Sequence, residues 1–504
     1  ALLTLDAGAD AYNVAVGYTA GKLMTTGSKN TLIGGLAGDS LTTGTQNIAL
    51  GYNALTTEDT GSRSTAIGFS ALAAQDINGN SYNVAVGYGA GENVTTGTAN
   101  TIVGGLAGDA LTTGVHNTAI GYAALTNEDA HGRNVAVGYE TLNQQNAGVD
   151  AYNTAIGYQS GAAVTTGTNN TIMGGLAGDA LTTGSYNVAV GRSALSTEDA
   201  HGKNVAVGYA ALATLNAGAD AYNTAVGYNA GVEMTTGLYN TLIGGLAGDA
   251  LTTGASNVAL GYNALGVEDT GSRNVAIGRA ALSNLNYNGA GYNTAVGYAA
   301  GGLMTTGIQN TLIGGLAGDA LTIGVNNIAI GYLALSASID GDHNVAIGTY
   351  ALRNYEDGDG NGHNTAVGHA SQTNASTGEF NTSLGSKSFG SGVLTGDFNV
   401  AIGYDAGLTM TSGTYNVLIG AAAGDAIITA EKNVAIGYAA LGTEDSGGKN
   451  VAIGDSALTT LNAGAYGFNV AVGHEAGRLM TTGVENTLIG GLAGDALTTG
   501  NENT

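Results

Sequence analysis

The chain of 504 residues contains no cysteine, no proline and no tryptophan. The absence of cysteine excludes disulfides and thiolate metal sites, but it leaves the compartment open because many secreted proteins also lack cysteine. No apolar run reaches about 18 residues, and no basic segment followed by an apolar one opens the chain. The sequence therefore predicts neither a membrane span nor a signal peptide within this segment.

Charge is scarce and mostly of one sign. Charged residues make up 10% of the chain, and 38 acidic residues against 13 basic ones give a net charge of −25. A nucleic-acid backbone or an anionic membrane would be repelled by such a chain, whereas divalent cations are plausible partners. We therefore expect no nucleic-acid partner and no membrane insertion.

Glycine is abundant, with 87 residues, and a fixed repeat organises the sequence. The hexapeptide NVAVGY, at 13–18, returns in related forms, and we call the asparagine that opens each copy the anchor and the stretch up to the next anchor a rung. Successive anchors are 17, 17, 17 and 19 residues apart, so that four rungs form a unit of 70. Such a period indicates a repeat architecture in which each repeat stacks on its neighbours.

The first five units begin regularly, and the second rung of each carries the signature GGLAGD, as at 34–39. Residues 345–398 contain irregular and extra rungs, after which the 70-residue unit resumes at Asn399. We interpret residues 1–504 as one continuous solenoid rod that includes these rungs. The chain begins and ends in mid-repeat, which suggests a piece of a longer polymer.

Within each rung, β-branched residues alternate, as in Val14 and Val16, and this alternation predicts a strand. Segments such as LMTTG predict a second short strand, and glycine-containing turns follow both. A rung of about 17 residues cannot bury an apolar face alone, so the sequence predicts an all-β, parallel β-solenoid, or β-roll.

The same alternation predicts which side chains lie inside. We expect one interior column of Val16, Ile33, Leu50 and Ile67. The intervening alanines would form an outer stripe, which self-association would cover; its members are Ala15, Ala49, Ala85 and Ala119.

The motifs NVAVGYxAG, NTLIGG and NVAIGxxAL resemble the N-S-V-A-I-G repeats of trimeric autotransporter adhesin heads, over essentially the whole chain. Repeats with NTAVGY and TTG are also similar to those of bacteriophage tail fibres. The resemblance implies a left-handed parallel β-roll, three chains side by side, and an adhesive or spacing role. We therefore expect an extracellular or cell-surface structural fibre that forms a homotrimer or filament and contacts a host surface or glycan. The alternative is a tail-fibre rod for host recognition, located on the virion.

No catalytic motif is visible, since there is no GxSxG elbow, no cysteine nucleophile and no partner spacing among the seven histidines. We expect no enzymatic activity and no cofactor except calcium. Asp357, Asp359 and Asn361, followed by Gly362, match the first half of a calcium-binding loop, although Gly368 replaces the glutamate of its twelfth position.

Two further regularities have a structural and a functional interpretation. The Glu-Asp pairs that recur in the third rung, such as Glu58 and Asp59, are interpreted as solvated turns, because pairs one unit apart are too distant to share an ion. The tyrosines after the motif glycine, such as Tyr18, could bind sugars through exposed ring faces. Packing at a half-buried rim is the favoured interpretation.

Overall fold

The computed structural model describes residues 1–8, 10–356 and 362–504. Its regular secondary structure consists, in this described part, of three-residue β-strands without helices. The chain divides into two compact units, Ala1–Thr253 and Gly254–Thr504. Within each unit successive strands pair in parallel, as Val14 does with Thr31 in the first unit and Val258 with Val275 in the second. The predicted all-β parallel β-solenoid is confirmed, while the continuous rod over 1–504 stays a prediction.

The strands of the first unit are β1 to β14: Val14–Val16, Thr31–Ile33, Ile48–Leu50, Thr65–Ile67, Val84–Val86, Thr101–Val103, Thr118–Ile120, Val135–Val137, Thr154–Ile156, Thr171–Met173, Val188–Val190, Val205–Val207, Thr224–Val226 and Thr241–Ile243. Those of the second unit are β15 to β28: Val258–Leu260, Val275–Ile277, Thr294–Val296, Thr311–Ile313, Ile328–Ile330, Val345–Ile347, Thr365–Val367, Thr382–Leu384, Val400–Ile402, Val417–Ile419, Val434–Ile436, Val451–Ile453, Val470–Val472 and Thr487–Ile489.

Each described rung has one strand, so the predicted second strand is wrong. Residues 25–26, within LMTTG, form a bend instead. The rest of the rung turns repeatedly through the left-handed region, for example at Leu36 and Gln46, both with φ of 62°. Extended backbone cannot continue through such residues. Rungs in this region are joined instead by single hydrogen bonds, such as that from the Thr25 N–H to the Thr42 carbonyl, 2.9 Å.

The two faces of the strand are reversed relative to the prediction. The central residue points inward, and Ala49 and Ala66 are fully buried, whereas the outward Val16 is 57% exposed and Leu50 is 40% exposed. The predicted interior column of Val16, Ile33, Leu50 and Ile67 is therefore wrong, and the alanine stripe lies inside rather than outside. A strand of three residues turns only one side chain inward, and a rung of 17 residues encloses a narrow interior that alanine fits at most levels.

Leucine or isoleucine replaces the inward alanine in the second rung of a unit, and nearby glycines make room for it. A Cβ added to Gly21 would lie 2.8 Å from Cδ1 of Leu32, and one added to Gly38 would lie 3.0 Å from its Cδ2. In the third and fourth rungs, Leu55 and Leu72 occupy the place of Gly38 and face inward with full burial. Two of the inward positions in each rung therefore lie two and eight residues after the anchor. The four-rung period is a pattern of side-chain volume at these two positions, because a large residue at one is matched by a small residue at the other. We call it the volume pattern.

The glycine after each strand is required by backbone approach between rungs. Gly34 has a φ of 140°, and a Cβ there would lie 2.2 Å from the carbonyl oxygen of Gly51, the same position one rung later. Any side chain would collide with that backbone. GGLAGD therefore combines one glycine that permits strand stacking with another that accommodates leucine, in addition to the turn that the sequence predicts.

Candidate functional surfaces and buried carboxylates

The first and third residues of the strands form a partly exposed surface that we call the outer strand face. Every described strand has valine, threonine, isoleucine, leucine or methionine at these positions, and none of these strands contains a charged residue. Met173 is 39% exposed and Ile120 is 36% exposed. Each unit therefore presents an uncharged, largely apolar strip, although the chain carries a net charge of −25.

Aromatic rings border this face, five residues after the anchor. In the first unit Tyr52, Phe69 and Tyr88 stack with ring centroids 5.5 and 5.2 Å apart. Ring planes within such stacks are nearly parallel, at 10° for Phe69 and Tyr88. The inner ring covers its faces with its neighbours and presents only its edge to solvent. This stacking is the packing role that the sequence favours, and it leaves the inner ring no free face for a sugar.

A longer stack, which the sequence analysis missed, lies in the second unit among the irregular rungs. It consists of His343, His363, Phe380, Phe398 and Tyr415, each located directly before an anchor. Successive centroids are 4.7, 5.0, 5.0 and 5.2 Å apart, and the planes differ by 4° to 11°. Alignment of the rungs on their anchors would have revealed this column.

The glutamates of the Glu-Asp pairs are buried, so their interpretation as solvated turn residues is wrong. They lie eleven residues after the anchor, where other rungs place Met24 or Leu41, and they are fully buried. The members of this set are Glu58, Glu128, Glu198, Glu268 and Glu444. The aspartate that follows is not buried, as at Asp59 and Asp129. Each pair therefore places one carboxylate among interior side chains and one outside.

Three of these glutamates belong to Glu-Asp-x-Gly rungs, in which backbone donors satisfy them. The Gly61 N–H donates to Oε1 of Glu58 at 2.6 Å, and Nε2 of Gln75 donates to its Oε2 at 2.8 Å. Burial nevertheless raises the pKa of Glu58 above its ordinary value. For Glu268 burial raises the pKa to about 7.

The other two glutamates belong to Glu-Asp-x-His rungs, at 128–131 and 198–201. Nδ1 of His131 lies 3.8 Å from Oε1 of Glu128, and Nδ1 of His201 lies 3.6 Å from Oε1 of Glu198. The expectation that the histidines have no partner spacing is therefore wrong for these two. The repeated E-D-A-H sequence, 70 residues apart, is the signal that could have found them.

The predicted calcium residues Asp357, Asp359 and Asn361 lie outside the described residues, and calcium binding there stays a prediction. Gly368, which replaces the glutamate of a complete calcium loop, belongs to the glycine column after the strands. A Cβ there would lie 2.4 Å from the carbonyl oxygen of Gly385. No side chain that could supply a twelfth-position ligand fits at that point.

Comparison of the sequence with models of known families and with curated proteins finds no match to either. In the described residues there is no helix whose length and apolar character would let it cross a bilayer.

Proposed function

We propose that this chain is an extracellular structural fibre or adhesive spacer, without catalytic activity, whose copies associate through the outer strand face. The observation that carries the proposal is the uncharged character of this face in a chain of net charge −25. An exposed apolar strip of this length is unusual for a soluble monomer, and it marks an interaction surface. The repeat resemblance to trimeric autotransporter heads supports the same role.

A second copy of the chain is the occupant that fits this face best. Strands in a sheet are about 4.8 Å apart, and two copies share this spacing, so their side chains can interdigitate over many rungs. Fourteen strands, each about 10 Å wide, give a strip on the order of 700 Å² in each unit, close to the roughly 800 Å² that one partner contributes to a standard interface. The lack of charged side chains removes the repulsion that two acidic copies would otherwise meet.

Three copies around a common axis would cover all their outer strand faces symmetrically, as the adhesin resemblance implies. The NTAVGY and TTG repeats favour a bacteriophage tail fibre as a second candidate, with the same association of chains. The two candidates differ in the segments that flank the repeats in the complete reading frame. A secretion signal and membrane anchor would support the adhesin, and a virion-attachment segment would support the tail fibre.

The mass of the purified chain in solution tests self-association. We expect a defined multiple of the 49.4 kDa chain mass, with three copies for the adhesin-like assembly. Glutamates introduced together at Leu50, Val84 and Ile120, on the outer strand face, should release monomers. Glutamates at Thr26, Thr43 and Thr96, which are exposed elsewhere on the rungs, are the matched control and should leave the mass unchanged.

Circular dichroism should show that both triple variants remain folded. A wild-type monomer of 49.4 kDa would refute self-association. Assembly that survives the outer-face glutamates would place the interface elsewhere. An open-ended distribution of lengths would replace the trimer by a filament.

A further inference from the structure

We propose that the two Glu-Asp-x-His rungs are equivalent binding sites for a divalent transition metal of the zinc type. The ligands of the first site would be Glu128, Asp129 and His131, and those of the second Glu198, Asp199 and His201. This inference is independent of the fibre proposal, since it concerns single rungs within the first unit.

The ligand atoms are already close enough to share one ion. Within each cluster one carboxylate oxygen of each acid and one histidine nitrogen lie within 4.8 Å of one another. Two ligands that each lie about 2.0 to 2.2 Å from the same zinc ion are at most about 4.4 Å apart. The 3.8 Å between His131 Nδ1 and Glu128 Oε1 meets this limit. The exposed Asp129 can close the remaining distance by side-chain rotation.

Buried polar atoms without partners point independently to a ligand. Nδ1 of His131 and Nδ1 of His201 are both buried, and within the described structure neither has a hydrogen-bond partner. Oε2 of the fully buried Glu128 also lacks one. Such atoms are rare in folded proteins because each costs the free energy of its lost hydration, and an ion is one of the explanations for them.

The backbone hydrogen bond to the buried glutamate differs between the Glu-Asp-x-Gly rungs and the Glu-Asp-x-His rungs. The backbone N–H three residues after the glutamate donates to Oε1 at 2.6 Å from Gly61 and 2.8 Å from Gly271. The same contact lengthens to 3.2 Å from His131 and 3.1 Å from His201.

The side chain at the corresponding position of the following rung varies within both kinds of rung. Gln75 donates to Glu58, whereas its counterpart Gln145 donates to the Thr165 carbonyl. The counterpart after Glu198 is the apolar Leu215, and leucine also stands at this position after Glu268 and Glu444. What the two histidine rungs share is the longer backbone contact and an imidazole nitrogen beside the buried carboxylate.

Neighbouring cations do not replace the metal. Arg133 pairs with Asp150, and Lys203 pairs with Asp220 at 2.6 Å. One imidazole and two carboxylates suit zinc and its neighbours in the transition series, whereas calcium and magnesium prefer oxygen ligands alone. His131 is 31% exposed, so solvent can reach the site and supply a water as the fourth ligand.

The test uses the full chain, stripped of metal with a chelator and titrated with zinc chloride. Calorimetry and metal analysis after desalting should give two zinc ions per chain that depend on these rungs. H131G should lose one of them, and the double variant H131G/H201G should lose both. Because glycine occupies the same position at Gly61, Gly271 and Gly447, the variants reproduce rungs that the fold already contains. H116N changes a histidine outside both clusters and should retain both ions.

Zinc binding that is unchanged in the double variant would overturn the proposal, and so would the absence of zinc binding. Calcium that competes equally with zinc would also contradict it, because the imidazole then contributes nothing. Nuclear magnetic resonance of the histidine rings supplies a second readout. If zinc leaves the His131 and His201 signals unshifted while both titrate with acid, the pair is an ion pair controlled by protons and not a metal site.

Discussion

Oδ1 of Asn30 accepts a hydrogen bond of 2.9 Å from the backbone N–H of Asn47, the anchor of the next rung. Nδ2 of Asn30 donates at 2.9 Å to the carbonyl oxygen of Gly44, near the end of its own rung. One buried side chain therefore closes its rung into a loop and attaches that loop to the following one. This double role explains why asparagine begins nearly every rung.

The first prediction concerns this asparagine ladder. N170L should lower the free energy of unfolding by about 3 kcal/mol, because the Asn187 N–H and the Gly184 carbonyl both lose their partner in a buried site. N169A is the control. It changes the exposed residue directly before the anchor, where another rung has Ala99, and it should have little effect on stability. Thermal unfolding and amide hydrogen exchange measure both. Equal stability of the two variants would show that the ladder is dispensable.

The chain contains one natural exception, Ser64, and other side chains compensate for it. Nε2 of Gln75 donates to the Ser64 hydroxyl at 2.6 Å, and Oε1 of Gln75 accepts from Nδ2 of Asn83 at 2.9 Å. The Ser81 hydroxyl accepts from the Asn83 N–H at 3.4 Å, in place of the missing asparagine oxygen. A buried polar network can thus replace the ladder only when several residues change together.

The second prediction tests the orientation of the strand. A155D places an unpaired charge in the interior, where the side chain is fully buried, and should cost on the order of 3–5 kcal/mol. I156D places the same charge on the outer strand face, where the side chain is 37% exposed, and should cost about 1 kcal/mol or less in a monomeric background. The midpoints of thermal unfolding compare them. The opposite order would restore the interior of β-branched residues that the sequence predicts.

The sequence predicts the solenoid and the positions of its first strands because the period and the alternation are both visible in it. It does not predict the faces of the strand, because Val-Ala-Val alternates equally well in either orientation. The width of the interior decides between them, and that width follows from the closed rung. The burial of Glu58 is hidden for a similar reason, since Glu-Asp before a glycine turn is typical of a solvated loop. Only its column, shared with Met24 and Leu41, indicates the interior.

The third prediction concerns the volume pattern of four rungs. L242A should cost about 2–5 kcal/mol, because it leaves a cavity beside Gly231 and Gly248. G248L alone should also destabilise, since its Cβ would lie 2.7 Å from Cδ1 of Leu251 and 2.9 Å from Cδ2 of Leu242. The double variant reproduces the pattern of Ala206 and Leu212, which are both fully buried in a rung that has Leu215 at the position of Leu251. It should therefore be more stable than the sum of the single effects implies, and a double-mutant cycle measures this coupling. Strict additivity would contradict the volume pattern.

The last prediction follows from the buried Glu268. Its Oε1 accepts a hydrogen bond of 2.8 Å from the Gly271 N–H, its side chain is fully buried, and burial raises its pKa from 4.5 to about 7. A carboxyl group whose pKa is higher in the folded chain binds its proton more tightly there. Its contribution to stability is therefore complete below pH 4.5 and is lost as the pH rises through about 7. The difference amounts to at most about 3 kcal/mol.

E268Q should remove this dependence, because a glutamine side chain stays neutral at every pH. The variant should unfold at a temperature close to that of the wild type below pH 4.5 and at a higher temperature above pH 7. E485Q changes an exposed glutamate in the same unit and should leave the shape of the wild-type curve unaltered. The measurement is the thermal midpoint between pH 4 and pH 8 for all three chains. The prediction fails if E268Q follows the wild-type curve throughout. That outcome would mean that the buried carboxyl group stays charged in the folded chain, because its hydrogen bonds from the Gly271 and Tyr287 N–H groups offset the cost of its burial.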